Sequence, residues 1–435
     1  MIENFLNRTF FTAWKTEDNT EDYLFKYGNY RRLELIIGTK CNLNCTYCYF
    51  RDREDLNASA PSDTILENLD MLLEWLSKNQ YFPDFEVYGG EPLVRKLGLS
   101  VVEKCIDFFI DNKHKGEITI PTNFSFIDKD WSYQEVERLI EKSKNNNVHI
   151  HLSASVDGKY CDVNRPYKSG FIRDDRWYDK VFSFCKKHGF GFHPMIYSNA
   201  IEKWRHNFIW FQGMFEKYDI PSSYLYLLEV RNPEWNLDQI KAFYGFIRFA
   251  VAWSIDRARN EGILDENIPE YFFKERWMNL FTLFGSIGRG ISCSIQACMP
   301  LKLSDLTVCA CHRLAKPLFD LYRFVVKGQK IIGIEPLNSE MLFTIHSADK
   351  ENFPYCESCL IEDMCSGQCL GAMFEVNGDP FIPIPTVCLL EHAKFKAVLD
   401  EIIEENMFEY WYNWVSEEKK RVMMIYRRMK NVGRQ

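Results

Sequence analysis

Leu33-Glu-Leu-Ile-Ile37-Gly38-Thr-Lys-Cys41-Asn-Leu-Asn-Cys45-Thr-Tyr-Cys48-Tyr-Phe50 carries an apolar strand candidate straight into a loop with three cysteines. The spacing CxxxCxxC puts three thiolates on one short loop. They suit three irons of a 4Fe-4S cube and leave the fourth iron open, whereas most iron–sulfur sites supply four cysteines. An open coordination position is what separates a catalytic metal centre from a structural one. Taken alone, the loop also reads as a zinc knuckle or as cysteines scattered in a core.

The rest of the chain narrows that choice. Its 435 residues have room for two or three domains and a large core. The composition is globular, 46% hydrophobic and 26% charged, and the net charge of -8 argues against a nucleic-acid partner. Met1-Ile-Glu-Asn-Phe-Leu-Asn-Arg8 carries charge inside its would-be apolar stretch and is no signal peptide. No apolar run approaches the ~20 residues that span a bilayer. The expectation is a soluble, cytoplasmic protein with no membrane partner. In that compartment fifteen cysteines point to metal rather than disulfides, and eight of them fall between Cys293 and Cys369.

From about residue 31 to 230, short apolar strands alternate with amphipathic stretches. The strand candidates are 33–37, 85–88, 117–120, 148–156, 191–197 and 224–230; helices are expected at 62–77 and 134–143. Six strand–helix repeats read as a parallel sheet, an incomplete barrel with its loops gathered at the strand C-terminal ends. The fold class is α/β, a partial (β/α)6 TIM-type barrel followed by a cysteine-rich module. The segments are an N-terminal extension (1–30), the barrel (31–235), a helical aromatic-rich connector (236–290), the cysteine-rich module (291–390) and a C-terminal helix (391–435).

A second feature, Val87-Tyr-Gly-Gly-Glu-Pro-Leu93, ends the second strand candidate. Its glycines let backbone approach a ligand closely, and Glu91 suits an ammonium group. Thr122-Asn123 ends the third strand, and Ser155-Val-Asp157-Gly158 ends the fourth, followed by Asp162 and Arg165. With the cysteine loop, these stretches resemble the radical S-adenosylmethionine (radical SAM) superfamily. The resemblance implies that SAM's methionine amino and carboxylate groups chelate the open iron, with the glycine-glycine-glutamate loop on the amino group. It implies SAM contacts from Tyr47, Gly89, Gly90, Glu91, Asn123, Ser155 and Arg165. Cys161 stands where the peptide-modifying branch usually has histidine, so that echo is partial.

The later cysteines resemble a SPASM domain. Cys356-x2-Cys359-x5-Cys365-x3-Cys369, then Cys388, matches its spacing; Cys293 and Cys311 fit the upstream half, with Leu306 at its glycine position and Cys298 between them. Zinc is the plainer alternative for such pairs. The resemblance implies that Cys41, Cys45 and Cys48 hold the SAM-binding cluster. Cys293, Cys298, Cys311 and Cys369 would hold one auxiliary cluster, and Cys356, Cys359, Cys365 and Cys388 the other. That makes three 4Fe-4S clusters. Cys105, Cys161 and Cys185 read as buried apolar residues, and Cys309 competes with Cys311 for a ligand position.

The function so implied is reductive cleavage of SAM to a 5′-deoxyadenosyl radical and hydrogen abstraction from a ribosomally made peptide. A thioether or carbon–carbon crosslink, or an oxidised residue, would result. A flavodoxin- or ferredoxin-type electron donor, and a separate leader-binding protein, are the implied partners. The alternatives are an anaerobic sulfatase-maturating-type enzyme forming formylglycine and a non-catalytic iron–sulfur electron carrier. Sulfatase maturases typically carry aspartate where this chain has His312, read here as a base or a partner of the cluster. Glu229 and Arg231 are read as peptide contacts or as a strand-end salt bridge. No catalytic residue is assigned.

Overall fold

The structure, a computed structural model, describes residues 32–50, 60–231, 234–274, 298–338, 340–341, 353, 355–365 and 367–432. The N-terminal extension, residues 275–290 of the connector and Cys293 lie outside the described residues.

Strand and helix alternate as β1 Arg32–Ile36, α1 Ser62–Lys78, β2 Asp84–Tyr88, α2 Lys96–Asp111, β3 Glu117–Thr122, α3 Asp130–Asn145 and β4 His149–Ala154. The alternation continues through α4 Asp175–His188, β5 Met195–Ile196, α5 Trp204–Tyr218 and β6 Leu228–Glu229. Helices α6 Leu237–Asn260 and α7 Ile268–Lys274 come next. Strands β7 Cys298–Lys302, β8 Thr307–Cys309, β9 Asp320–Lys327 and β10 Lys330–Pro336 follow. The chain closes with α8 Leu370–Asn377, α9 Pro385–Glu404, α10 Phe408–Trp414 and α11 Glu417–Val432. This is an α/β fold with a central parallel sheet, and its strand–helix order fits a partial barrel.

The chain divides into two compact units. The first holds β1–β4, α1–α3 and β7–β10 in one sheet of order β10-β9-β8-β7-β1-β2-β3-β4. Neighbours from β7 to β4 run parallel, and β7 through β10 run antiparallel. β1 is hydrogen-bonded on both sides, and its Leu33, Leu35 and Ile36 are buried, as a strand covered on both faces requires. On α1, Ile65, Leu69, Leu72 and Leu76 recur every three or four residues and make one buried face. Phe85 on β2 is fully buried and meets the rings of Phe108 and Phe109 of α2 at 5.6 and 5.4 Å.

β7 is a strand that the sequence pattern hides. Cys298 pairs with Arg32 and Lys302 with Ile36, so residues assigned by spacing to the cysteine module flank β1 in the sheet. Pro300 sits in its middle, and proline within a run argues against a strand because it donates no ladder hydrogen bond.

The second unit holds the loop after β4, helices α4–α11, and β5 paired in parallel with β6. The two strand candidates here shrink to two residues each. Pro194 lacks an N–H and interrupts the first, leaving Phe192 and Leu225 as a single bridge upstream. α6 begins with a capping box between Asn236 and Gln239 and lies along α9. Tyr244 of α6 donates to Asp400 of α9 at 2.7 Å, and Lys430 of α11 lies 2.7 Å from the same carboxylate. No helix among the described residues is long and apolar enough to cross a membrane.

Two outcomes follow from this packing. Phe85→Ala leaves a cavity in the first unit and lowers its stability by about 3–5 kcal/mol, read as a lower midpoint in chemical denaturation. Burial would raise the Asp400 carboxyl, but Lys396, Lys430 and Tyr244 outweigh it and hold it at about 2, against its ordinary 3.8. A carboxyl lowered on folding stabilises above its unfolded value, and that stability is lost as pH falls through the folded one. Asp400→Asn therefore lowers the thermal midpoint at neutral pH, and the gap to wild type closes as pH drops from about 4 towards 2.

Candidate functional site

The end of β1 and the end of β2 meet backbone to backbone. Ile37 donates to the Tyr88 carbonyl at 2.9 Å, and Glu91 N–H donates to the Lys40 carbonyl at 3.0 Å. Gly89 and Gly90 both have positive φ, and a Cβ on either would lie closer than 3.0 Å to a carbonyl oxygen, that of Gly38 or Lys40. Only glycine allows this approach. The cysteine loop is thus laid directly on the Gly-Gly-Glu turn.

Glu91 is 1% exposed, and its carboxylate accepts hydrogen bonds from Thr122 Oγ1 (2.8 Å), Asn123 N (2.6 Å) and Leu93 N (3.2 Å). It ties the end of β2 to the end of β3. Asn123 continues the tie: its Nδ2 donates to Asn42 Oδ1 at 3.1 Å and lies 3.7 Å from Cys41 Sγ. Leu43 N–H donates to Cys41 Sγ at 3.4 Å. Burial, then Glu91, pushes Cys41 as a free thiol up to about 12, so ligation there releases a proton. Cys41, Tyr47, Cys45 and Cys48 are all half-buried on one loop. The N–H donors at sulfur and the glycine cradle fit a cluster held by three thiolates.

The remaining SAM-contact candidates, Ser155 and Arg165, belong to the second unit. Ser155 is half-buried just past β4. Arg165 Nε donates to the fully buried Asp157 at 2.8 Å, and Asp157 also accepts Met195 N–H at 2.9 Å. Arg173 pairs with Asp162 and donates to the Arg165 carbonyl at 3.0 Å, so Arg165 is held from side chain and backbone. Cys161 is fully buried there, a packing residue in the histidine's place.

A polar group that pattern reading missed lies inside the first unit. Glu34 on β1 stands directly opposite Glu86 on β2, and His312 Nδ1 lies 3.0 Å from Glu34 Oε2. The His312 ring stacks on Tyr88 (4.5 Å) and Tyr49 (5.6 Å), whose hydroxyls hydrogen-bond each other. Burial alone would lower His312, but Glu34 and Glu86 outweigh it and raise it. The available signal was a glutamate at the centre of each of two apolar strands, Leu33-Glu-Leu35 and Phe85-Glu-Val87. Burying charge is costly unless it is paired.

In the second unit one cavity is lined by Cys356, Cys359, Cys365 and Cys388, the four cysteines grouped by the SPASM resemblance. Two of the sulfurs accept N–H groups, Gly367 N to Cys365 (3.3 Å) and Gln368 Nε2 to Cys388 (2.9 Å), and His392 Nε2 lies 3.4 Å from Cys359 Sγ. Among the described residues no three His, Cys, Asp or Glu side chains converge on a single-ion site; a cluster, were one bound, would take its ligands from the four cysteines that line the cavity. The four-cysteine donor set fits such a group.

The other ligand candidates divide between the two units. Cys369 precedes α8 in the second unit, and Cys311 accepts Leu314 N–H at 3.2 Å in the first. Cys298 begins β7. Cys309 is buried with Ile36 and Ala315, its thiol directed at the carbonyls of Pro300 and Cys311. Glu229 and Arg231 form a buried salt-bridge network. Glu229 Oε1 lies 3.1 Å from Lys394 Nζ and 3.4 Å from Arg231 Nε, and Lys394 reaches Glu391 at 3.0 Å. Burial would raise the Glu229 carboxyl, but Lys394 and Arg231 hold it at about 2.

Gly90→Ala forces the two loops apart, and Glu91→Gln turns an amide N–H towards donors. Glu91→Gln costs about 1–3 kcal/mol. Both variants lose iron from the cysteine loop when reconstituted, measured as iron per chain against wild type.

Comparison with known proteins places this geometry. Residues 35–193 match the family model of the radical SAM superfamily. An uncharacterized protein of Methanocaldococcus jannaschii is 34% identical over 143 residues, 32% of this chain and 43% of that protein. The match thus spans less than half of that relative's length. Histidine-tagged anSMEcpe with bound AdoMet superposes with a TM-score of 0.58 at 17% identity, covering 86% of this chain and 98% of that one. Native anSMEcpe with bound AdoMet and Cp18Cys peptide gives 0.53 at 15%, covering 88% and 99%. At these identities the likeness is one of fold. Residues 35–193 thus match the radical SAM superfamily model, and the chain shares the fold of these structures.

Proposed function

We propose that the chain is a peptide-modifying radical enzyme with three iron–sulfur clusters, carrying out hydrogen abstraction followed by crosslinking or oxidation. The observation that carries this reading is the Cys41–Cys48 loop seated on Gly89-Gly90: three cysteines, which would leave one iron of a cube open, with a glycine cradle beside them. With its cofactors bound, such a site supplies a 5′-deoxyadenosyl radical by reductive cleavage of SAM. The chain's own part is to bind and orient. Asn123 and Glu91 hold the cysteine loop at the ends of β2 and β3. Arg165, fixed by Asp157, is proposed to meet the SAM carboxylate.

Cys356, Cys359, Cys365 and Cys388, which line one cavity, would hold a fully ligated auxiliary cluster, and that group would supply electron-transfer chemistry. A four-cysteine site offers no free iron to substrate, which suits electron transfer. A peptide substrate is proposed from the SPASM-like spacing and from the peptide held by a chain of the same fold. The electron donor and the leader-binding partner are proposed on the same footing. His312, oriented by Glu34 and stacked on Tyr88, replaces the aspartate of sulfatase maturases; this departure favours peptide crosslinking over formylglycine formation.

Anaerobic incubation of the reconstituted chain with SAM and dithionite is expected to release 5′-deoxyadenosine, with Cys45→Ala at background. No 5′-deoxyadenosine from an iron-replete chain would overturn the reading. Short cysteine- or aromatic-rich peptides encoded beside the gene are expected to lose a hydrogen pair by mass spectrometry. Conversion of a sulfatase peptide instead would select the maturase alternative.

A further inference from the structure

The cavity of the second unit holds two side chains that no ligand count requires. His392 follows Cys388 by one helical turn on α9, so the two side chains share a face. Its Nε2 lies 3.4 Å from Cys359 Sγ, which joins α9 to the Cys356–Cys359 turn. Gln368 is buried, and its amide orientation is fixed by the backbone of Ile384. Its Oε1 accepts Ile384 N–H at 2.8 Å, so Nε2 faces the Ile384 carbonyl (3.0 Å) and Cys388 Sγ (2.9 Å). A flipped amide would set N–H against N–H. A ligating thiolate only accepts hydrogen bonds, so beside one His392 carries its proton on Nε2.

We propose that His392 and Gln368 are positioning residues that set the reduction potential of the cluster held by Cys356, Cys359, Cys365 and Cys388. This rests on reading that cavity as a cluster site. Reduction places added negative charge on the iron and its sulfur ligands. An N–H aimed at a thiolate stabilises that charge more in the reduced state than in the oxidised state, so each donor raises the potential. Two side-chain donors on two of the four thiolates, beside the backbone N–H of Gly367 on a third, bias this cluster towards accepting an electron. That is the direction needed to drain a substrate radical.

The test is a redox titration of the anaerobically reconstituted full chain, followed by EPR and visible absorption, with iron counted per chain. His392→Phe removes one donor and Gln368→Met the other; His392→Gln keeps an N–H within reach. The expected result is unchanged iron, one cluster shifted to lower potential in each of the first two variants, a larger shift in the double variant, and recovery in His392→Gln. Midpoints equal to wild type in iron-replete variants overturn the inference and leave the cluster reading standing. Loss of that cluster in His392→Phe, with the other variants full, makes His392 a ligand and overturns it too. If Cys388→Ala and Cys356→Ala remove no iron from the wild-type complement, the cluster reading itself falls.

Discussion

Everything in the first unit that bears on chemistry depends on one close approach, the carbonyls of Gly38 and Lys40 against Gly89 and Gly90. The cysteine loop has little secondary structure of its own to hold it. Its position comes from backbone hydrogen bonds to the β2 turn and from the absence of two Cβ atoms that would push it away. Glu91 then locks the turn to β3 through Thr122 and Asn123, and Asn123 returns to the cysteine loop through Asn42 and Cys41. Three strand ends are thereby bound into one rigid edge. The radical chemistry proposed for this site would need such an edge, since small misplacements of a reacting atom carry large losses in rate.

Buried charge is the second organising constraint. Glu34 and Glu86 stand opposite each other within the sheet, where two carboxylates repel; His312 beside Glu34 and Arg32 beside Glu86 offset that repulsion. Glu229, Arg231, Lys394 and Glu391 form a second balanced set that joins the end of β6 to α9. Such groups contribute little net stability compared with apolar packing, but removing one partner leaves another stranded. They hold particular side chains in particular orientations, and in both places those orientations lie close to ligand candidates: Cys311 next to His312, and Cys388 next to Glu391.

Much of this was legible in the chain itself. The alternation of apolar strands with amphipathic helices announced a parallel α/β sheet, because a strand covered on both faces must be apolar throughout. The motifs at the ends of the first three strands lie against one another in the structure, which their separation in sequence does not record. The misses have physical causes. β7 was hidden by Pro300; β5 was overread because the apolar run around Pro194 looks longer than the ladder it can form, and β6 pairs only with the two residues left of β5. Glu34 and Glu86 passed as ordinary strand residues, since nothing local says that two glutamates 52 positions apart share a register.

The sequence by itself determined the groups on offer: three cysteines at a spacing that suits an open-iron cluster, glycines where backbone must pass backbone, and four more cysteines with SPASM-like spacing. These are local properties, written in the separation of residues along one chain. Only the tertiary structure decided what each group faces. It turned Glu91 inward to three protein donors, set His312 on Glu34, and brought His392 and Gln368 to the sulfurs of Cys359 and Cys388. Hydrogen bonds and ion pairs form between segments distant in sequence, and their partners are chosen by packing, which spacing along the chain does not record.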